Sequence, residues 1–307
     1  MRDAFARSMT KLASERQDLC LLSGDIGNRM FDRYKDVAPE RFINCGIAEA
    51  NMMSVAAGMA LNGLRPVVYT ITPFTTTRCF EQIRIGVAYH QAPVIIVGTG
   101  SGLSYAELGP THHSLEDIGI LRTIPGLNIV APSDGEELTA QLTEALESSS
   151  PTYIRIGKKG EPSLNKDTSR LGLGKANELR AGRDLLLVGV GPILNEAVKA
   201  ADLLEAEGIS VAVANLGGVR PLDEHYLRSA CERYKKWISV EEHGLIGGVG
   251  SVLLEWLSIE KQGQVKLERI GVPDKFIEEL GSQSFVRNQL GLDTEGIVKA
   301  IRQSIEE

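Results

Sequence analysis

The chain of 307 residues is 43% hydrophobic, which is enough to bury a sizeable core, and at roughly 150 residues per domain it predicts about two domains. Lys plus Arg number 33 against 40 for Asp plus Glu, a net charge of -7 with no long basic run, so nucleic acid is not an expected partner. The opening "MRDAFARSMTKLASERQ" has no apolar h-region and no run of about 18 apolar residues occurs, so neither secretion nor membrane spanning is expected. Cys20, Cys45, Cys79 and Cys231 are scattered without a C-x-x-C pair, which fits reduced, packed thiols in a cytoplasmic protein better than a disulfide frame or a zinc site.

In chain order, short β-rich runs alternate with amphipathic stretches, the pattern of a parallel sheet covered on both faces. A helix over Ala4 to Glu15 precedes "LCLLSGD" and "RFINCGI". A helix from Glu49, "RPVVYTIT", a helix over "CFEQIRIGVAYH" and "PVIIVGTG" follow. "LEDIGILRTI", "NIVAPS", the helix "GEELTAQLTEALES" and "TYIRIG" close a six-strand unit. From Lys158 to Arg183 the texture turns polar, with Gly and Pro and no sustained period, as in an interdomain linker. A second unit follows: "DLLLVGVG", a helix over Ile193 to Glu207, "ISVAVANL", a helix near Asp223 to Arg233, "KWISVEEH", a helix over Gly250 to Ile259, "VKLERIGVP" and a helix over Thr294 to Ser304. The expected architecture is α/β with two doubly wound domains: residues 1–160, a linker at 161–183, and a smaller domain at 184–307.

The glycine-rich stretches do not support a nucleotide enzyme. "GVGPILNEA" lacks the third glycine and the following acidic residue of a dinucleotide site, and reads as a tight strand-to-helix turn. "GLIGGVGSVL" reads as a turn against a helix N-terminus, near an anion at most, and has no Gly-Lys-Ser/Thr ending. Ligands in open parallel sheets bind at strand ends, which directs attention to "GPTHHSLED". Its adjacent His112 and His113 cannot both face one point, and without spaced ligands they make a poor metal site. No metal ligand is assigned in this chain. Phe74 and Phe80 flank a Thr run and offer aromatic faces, although Phe in such a protein usually belongs to the core.

Glu49 is a carboxylate at the start of a helix that otherwise reads as buried, with Met52, Met53, Val55 and Ala56 beyond it. The plain alternative is a helix-start glutamate stabilised by the helix dipole, worth about 0.3–1 kcal/mol.

"INCGIAEANMMSVAAGMALNGLRPVV", "PFTTTRCFEQI", "GPTHHSLEDIGILRTIPGLNIVAPSDGEEL" and "VRPLDEHYLRSACERYKKWISVEEHGLIGGVG" together resemble the carboxyl half of the transketolase family, including its relative deoxyxylulose-5-phosphate synthase, over nearly the whole chain. The resemblance implies a pyrimidine-binding domain for thiamine diphosphate, with a mostly parallel sheet, followed by the family's small C-terminal domain. It implies that Glu49 exchanges a proton with N1′ of the aminopyrimidine and so helps the cofactor lose its C2 proton. That role calls for a carboxyl that keeps or shares a proton near neutral pH, which an apolar setting favours. It further implies that Phe74 and Phe80 sandwich the pyrimidine and that Asp25 stands near the cofactor at a subunit interface. His112 then faces the substrate carbonyl as a catalytic donor, while Arg2 and Arg155 hold the substrate's phosphate, with Arg29 a further candidate that strengthens this binding or changes its geometry.

This sequence departs from the family pattern at several points. Thr77 replaces an intermediate aromatic, Leu108 replaces an aspartate that contacts a donor hydroxyl, and Arg29 stands where a phosphate-binding serine is common. The Gly-Asp-Gly segment with which the family begins to hold the diphosphate and its magnesium is absent from the sequence. The resemblance therefore implies the smaller subunit of a split enzyme, whose cofactor and Mg2+ need a separate amino-terminal, diphosphate-binding chain in an α2β2 heterotetramer. The expected reaction is transfer of a two-carbon ketol unit between small sugar phosphates and an aldehyde. The β subunit of a 2-oxo acid dehydrogenase E1 component, which shares the two-domain layout but lacks the Gly-x-Thr-His form, is the alternative, and a non-catalytic scaffold subunit is the third.

Overall fold

The computed structural model describes every residue except Asn28, Lys166 and Glu307. The amino-terminal half runs α1 (Arg2–Glu15), β1 (Leu19–Ser23), α2 (Asp32–Val37), β2 (Phe42–Asn44), α3 (Glu49–Leu61), β3 (Arg65–Ile71) and the single turn α4 (Thr72–Thr75). A 3-10 turn (Thr77–Cys79), a π-helix (Gln82–Tyr89), β4 (Ile95–Thr99), a second 3-10 turn (Ala106–Leu108), α5 (Asp117–Leu121), β5 (Asn128–Val130), α6 (Gly135–Glu147) and β6 (Thr152–Ile156) complete it. The remainder is β7 (Asn177–Arg180), β8 (Leu185–Gly189), α7 (Leu194–Glu205), β9 (Val211–Asn215), β10 (Gly218–Arg220), α8 (Glu224–Arg233), β11 (Lys236–Gly244), α9 (Val249–Ile259), β12 (Lys266–Val272), α10 (Gln283–Gln289) and α11 (Thr294–Glu306).

Two sheets result, ordered β10-β5-β6-β4-β3-β1-β2 and β12-β11-β8-β9-β7. Their central strands are parallel, and β1, β4, β6, β8 and β9 are buried at every position. Helices on both faces of a parallel sheet demand such continuous apolar runs. Among the described residues, the strands that pair antiparallel are the edge strands β10 and β7, with β5 and β9 respectively.

Those two edges revise the expected organisation. The stretch expected as a linker carries β7, which joins the second sheet beside β9. It is also tied to the first unit: Asp134 caps α6 through the amides of Glu136 and Glu137 and accepts from the amides of Leu164 and Asn165 at 2.8 and 2.9 Å. β10, from the carboxyl-terminal half, extends the first sheet to seven strands. The expected helix over "CFEQIRIGVAYH" winds as a π-helix at Gln82–Tyr89, and Gly86 packs there against Ala57 of α3.

Cys20, Cys79 and Cys231 are buried, Cys45 is half-buried, and all four are free thiols. The turn before α9 does face an anion, and it is internal. The Glu241 carboxylate accepts from the amides of Val249 (2.6 Å) and Gly250 (3.1 Å), as expected of the positive end of a helix dipole. Burial pushes the Glu241 carboxyl up to about 7 despite these donors. No helix among the described residues is long and apolar enough to cross a membrane.

Candidate functional site

Glu49 opens α3 immediately after the turn that follows β2, and its side chain is 6% exposed. Met52, Met53 and Ala56 are buried beyond it as expected, whereas Val55 is 40% exposed and faces away. The setting is not purely apolar. Arg78, on the 3-10 turn Thr77–Cys79, donates through Nη1 to Glu49 Oε2 at 2.9 Å. The same guanidinium lies 4.1 Å from the centroid of the Phe74 ring, within cation–π range. Sequence reasoning did not single out Arg78.

From Phe74 the site continues to His112, whose ring meets Phe74 edge-on at 5.3 Å and Tyr105 at 6.0 Å. The His112 loop is set by Gly109, at φ +73°, whose carbonyl accepts from the amides of His112 (2.9 Å) and His113 (3.1 Å). Tyr105 owes its place to Gly100. At φ +79° a Cβ there would fall 2.0 Å from the Tyr105 ring, so only glycine admits both the backbone and the ring. His112 Nδ1 pairs with the Thr111 hydroxyl at 2.9 Å. Burial, then the neighbouring His113 and the Arg78 charge, push the His112 pKa below the usual histidine range, so near pH 7 it is a neutral imidazole. His113 is buried, with Nε2 3.5 Å from the Ala106 carbonyl. One histidine of the pair faces the site and the other packs.

The remaining expected residues divide. Phe80 is half-buried and packs against the apolar core, and the aromatic face that carries the Arg78 guanidinium is that of Phe74. Asp25 is exposed and accepts from Asn44 Nδ2 at 3.1 Å, and Arg29 is exposed on the same loop between β1 and α2. Arg2 is half-buried at the start of α1, with an Nε that has no hydrogen-bond partner. It neighbours Tyr69, a phenol that burial pushes up to about 12. Leu108 ends the 3-10 turn before Gly109 and is 49% exposed.

Arg155 corrects its expectation. It is neither a surface arginine nor free for a phosphate: its side chain is 4% exposed, and its Nε donates to Asp117 Oδ2 at 2.8 Å. Its Nη2 donates to the carbonyls of Ser114 (2.9 Å) and Glu242 (3.0 Å). Tyr153 donates to the same Asp117 oxygen at 2.7 Å. Burial alone would raise the Asp117 carboxyl, but the Arg155 and His243 charges hold it below the usual carboxylate range. This cluster fastens the loop that follows the histidines to β11 of the second unit, where the Gly244 amide also donates to the Leu115 carbonyl at 2.8 Å. Glu242 continues the seam by accepting from the Leu103 amide (2.6 Å), from Gln283 (2.8 Å) and from Arg287.

The site thus joins a buried carboxylate, a planar guanidinium on an aromatic face and a neutral histidine on a glycine-set loop. A flat nitrogen heterocycle needs two of these features, a carboxyl for a ring nitrogen and a π-face for stacking. The guanidinium shows the fit, since it is itself a flat, nitrogen-bearing group meeting both.

Comparison with known proteins shows the family. Residues 1–161 match the family described as "Transketolase, pyrimidine binding domain", and residues 174–297 match "Transketolase, C-terminal domain". A subunit of the apulose-4-phosphate transketolase of Phocaeicola vulgatus is 33% identical over 307 residues, covering 99% of this chain and 97% of that protein. A subunit of the 6-deoxy-6-sulfo-D-fructose transketolase of Clostridium sp. is 32% identical, covering 100% and 94%. A 1-deoxy-D-xylulose-5-phosphate synthase of Aquifex aeolicus is 37% identical over 272 residues, which is 87% of this chain but 42% of that longer protein. A solved structure described as a split gene transketolase, an inactive beta4 tetramer, superposes with a TM-score of 0.88 at 30% identity, covering 98% and 96% of the two chains. The chain belongs to the transketolase family, and carries that family's pyrimidine-binding domain followed by its C-terminal domain.

Proposed function

We propose that this chain is the pyrimidine-binding subunit of a two-chain, thiamine diphosphate-dependent transketolase, which moves a two-carbon ketol unit from a ketose phosphate donor to an aldehyde acceptor. The observation that carries this reading is the run of contacts from Glu49 through Arg78 and Phe74 to His112, in a chain matching proteins named as transketolase subunits along almost their full length. When bound, thiamine diphosphate supplies a carbon nucleophile. Glu49 would hold the proton exchanged with the ring nitrogen N1′, and Phe74 would stack on the ring. Thr111 engages His112 Nδ1, so Nε2 is the nitrogen that would meet the substrate carbonyl oxygen, where a fixed donor stabilises developing negative charge. Magnesium and the diphosphate would be held by the partner chain, in an α2β2 assembly.

Leu108 bears on the donor. A leucine reaching the substrate from the loop before His112 cannot hydrogen-bond a sugar hydroxyl, so the preferred donor differs from one recognised by an aspartate there. Ketol transfer is measured in the complex reconstituted with the diphosphate-binding chain, and wild type should transfer the unit. Leu108→Asp should shift kcat/KM toward hydroxylated ketose phosphates by about 2- to 12-fold, the worth of one hydrogen bond. Acyl transfer to lipoamide in place of ketol transfer would move the chain to the 2-oxo acid dehydrogenase reading. An unchanged donor preference would remove Leu108 from recognition.

A further inference from the structure

Arg78 is given no step in the chemistry proposed above, yet it links Glu49 to Phe74 at the middle of the site. Its Nη1 donates to Glu49 Oε2 at 2.9 Å and its guanidinium lies 4.1 Å from the Phe74 centroid. These are the carboxylate and the aromatic face that the aminopyrimidine needs on that reading. A guanidinium and an aminopyrimidine are alike in what they offer: both are flat, both carry N–H donors, and both stack on an aromatic ring. Two such groups cannot hold the same carboxylate oxygen and the same ring face at once.

We propose that the Arg78 side chain is a built-in occupant of the pyrimidine subsite, filling it in the isolated chain and swinging out to solvent when the cofactor ring enters. The inference rests on the functional reading above. The turn that carries Arg78 is held in place: the Thr76 and Thr77 hydroxyls donate to the carbonyls of Thr72 and Pro73, each at 2.7 Å, and the Cys79 thiol donates to the Phe74 carbonyl at 3.1 Å. The arm itself is free to move, since the Arg78 side chain is 44% exposed while Glu49 is 6% exposed. Arginine gives up a half-exposed pair at small cost, because water re-solvates the guanidinium at once. The device keeps a buried carboxylate paired until the partner and the cofactor arrive, since a buried charge left alone is costly.

The test is calorimetric titration of thiamine diphosphate with magnesium into the reconstituted complex. Arg78→Met keeps the length and removes the donors and the planar stack. It should bind the cofactor roughly tenfold tighter, the combined worth of a half-exposed ion pair and a cation–π contact. Arg78→Lys keeps the charge but not the flat fork, and should fall between Met and wild type. Added methylguanidinium should weaken cofactor binding to Arg78→Met, by refilling the subsite, and leave wild-type binding nearly unchanged. Equal or weaker binding by Arg78→Met, with no sensitivity to methylguanidinium, would overturn the proposal. Should Arg78→Met fail to assemble, Arg78→Lys decides alone: tighter binding than wild type supports the plug, and equal or weaker binding removes it. Failure of the wild-type complex to bind the cofactor is a separate outcome, which would remove the functional reading itself.

Discussion

Glu49→Gln should slow hydrogen–deuterium exchange at C2 of thiamine diphosphate bound to the reconstituted complex by about 10²- to 10⁴-fold, the usual contribution of a positioned acid–base group. Glutamine has nearly the volume of glutamate, so the packing of α3 over the buried Met52 and Met53 is kept. The amide oxygen can still accept from Arg78, which makes this pair a poor source of any large folding defect. What the amide cannot do is exchange a proton with N1′. The variant should therefore fold, assemble and bind the cofactor while failing at the first chemical step, as followed by NMR of the C2 proton. Exchange at the wild-type rate would return Glu49 to the role of a helix-start carboxylate paired with Arg78.

Arg155→Met should destabilise the chain by about 3–5 kcal/mol, the usual cost of breaking a buried ion pair from one side. The substitution leaves Asp117, 1% exposed, with a buried charge facing only the Tyr153 hydroxyl and His243. It also strips donors from the carbonyls of Ser114 and Glu242, which join the two units. Denaturant unfolding checks the magnitude, and a loss under about 1 kcal/mol, the range of an exposed pair, would contradict the burial described. The sign with pH follows from Asp117. Its carboxyl is held below the ordinary range in the folded chain, so the pair's stabilisation is present above the unfolded carboxylate pKa and is lost as pH falls through the folded one. Arg155→Met should accordingly flatten the acid limb of the stability profile. The double variant Arg155→Met, Asp117→Leu should recover part of the loss, because an apolar pair in that space leaves no orphan charge.

The alternation of β-rich and helical stretches was enough to locate the central strands of both sheets along the chain, because strands buried on both faces are mostly apolar, as "LCLLS" and "LLLVG" are. The edges were not legible. β10 is three residues within a glycine-rich stretch, and β7 is a half-exposed segment of mixed polarity, so neither carries a period. That Glu49 opens a helix with buried Met52 and Met53, and that His112 and His113 do not share one direction, was legible from residue type and spacing. Arg78 was not, since "TTTR" reads as a polar surface turn and only the direction of the side chain brings it to Glu49. Arg155 misled for a related reason: an arginine at the end of a strand looks exposed until a partner 38 residues away in sequence turns up beside it. Phe80 lies just before the π-helix, a winding that the sequence pattern did not distinguish, and packs half-buried against the core.

Thiamine diphosphate with magnesium, titrated first into the isolated chain and then into the chain mixed with its diphosphate-binding partner, should give negligible heat in the first case and saturable binding near two sites per α2β2 assembly in the second. The carboxylate and the aromatic face lie on this chain, but the groups proposed to hold the diphosphate and the metal do not. Micromolar or tighter binding by the isolated chain, about -8 kcal/mol or better, would contradict the division of the site between two chains.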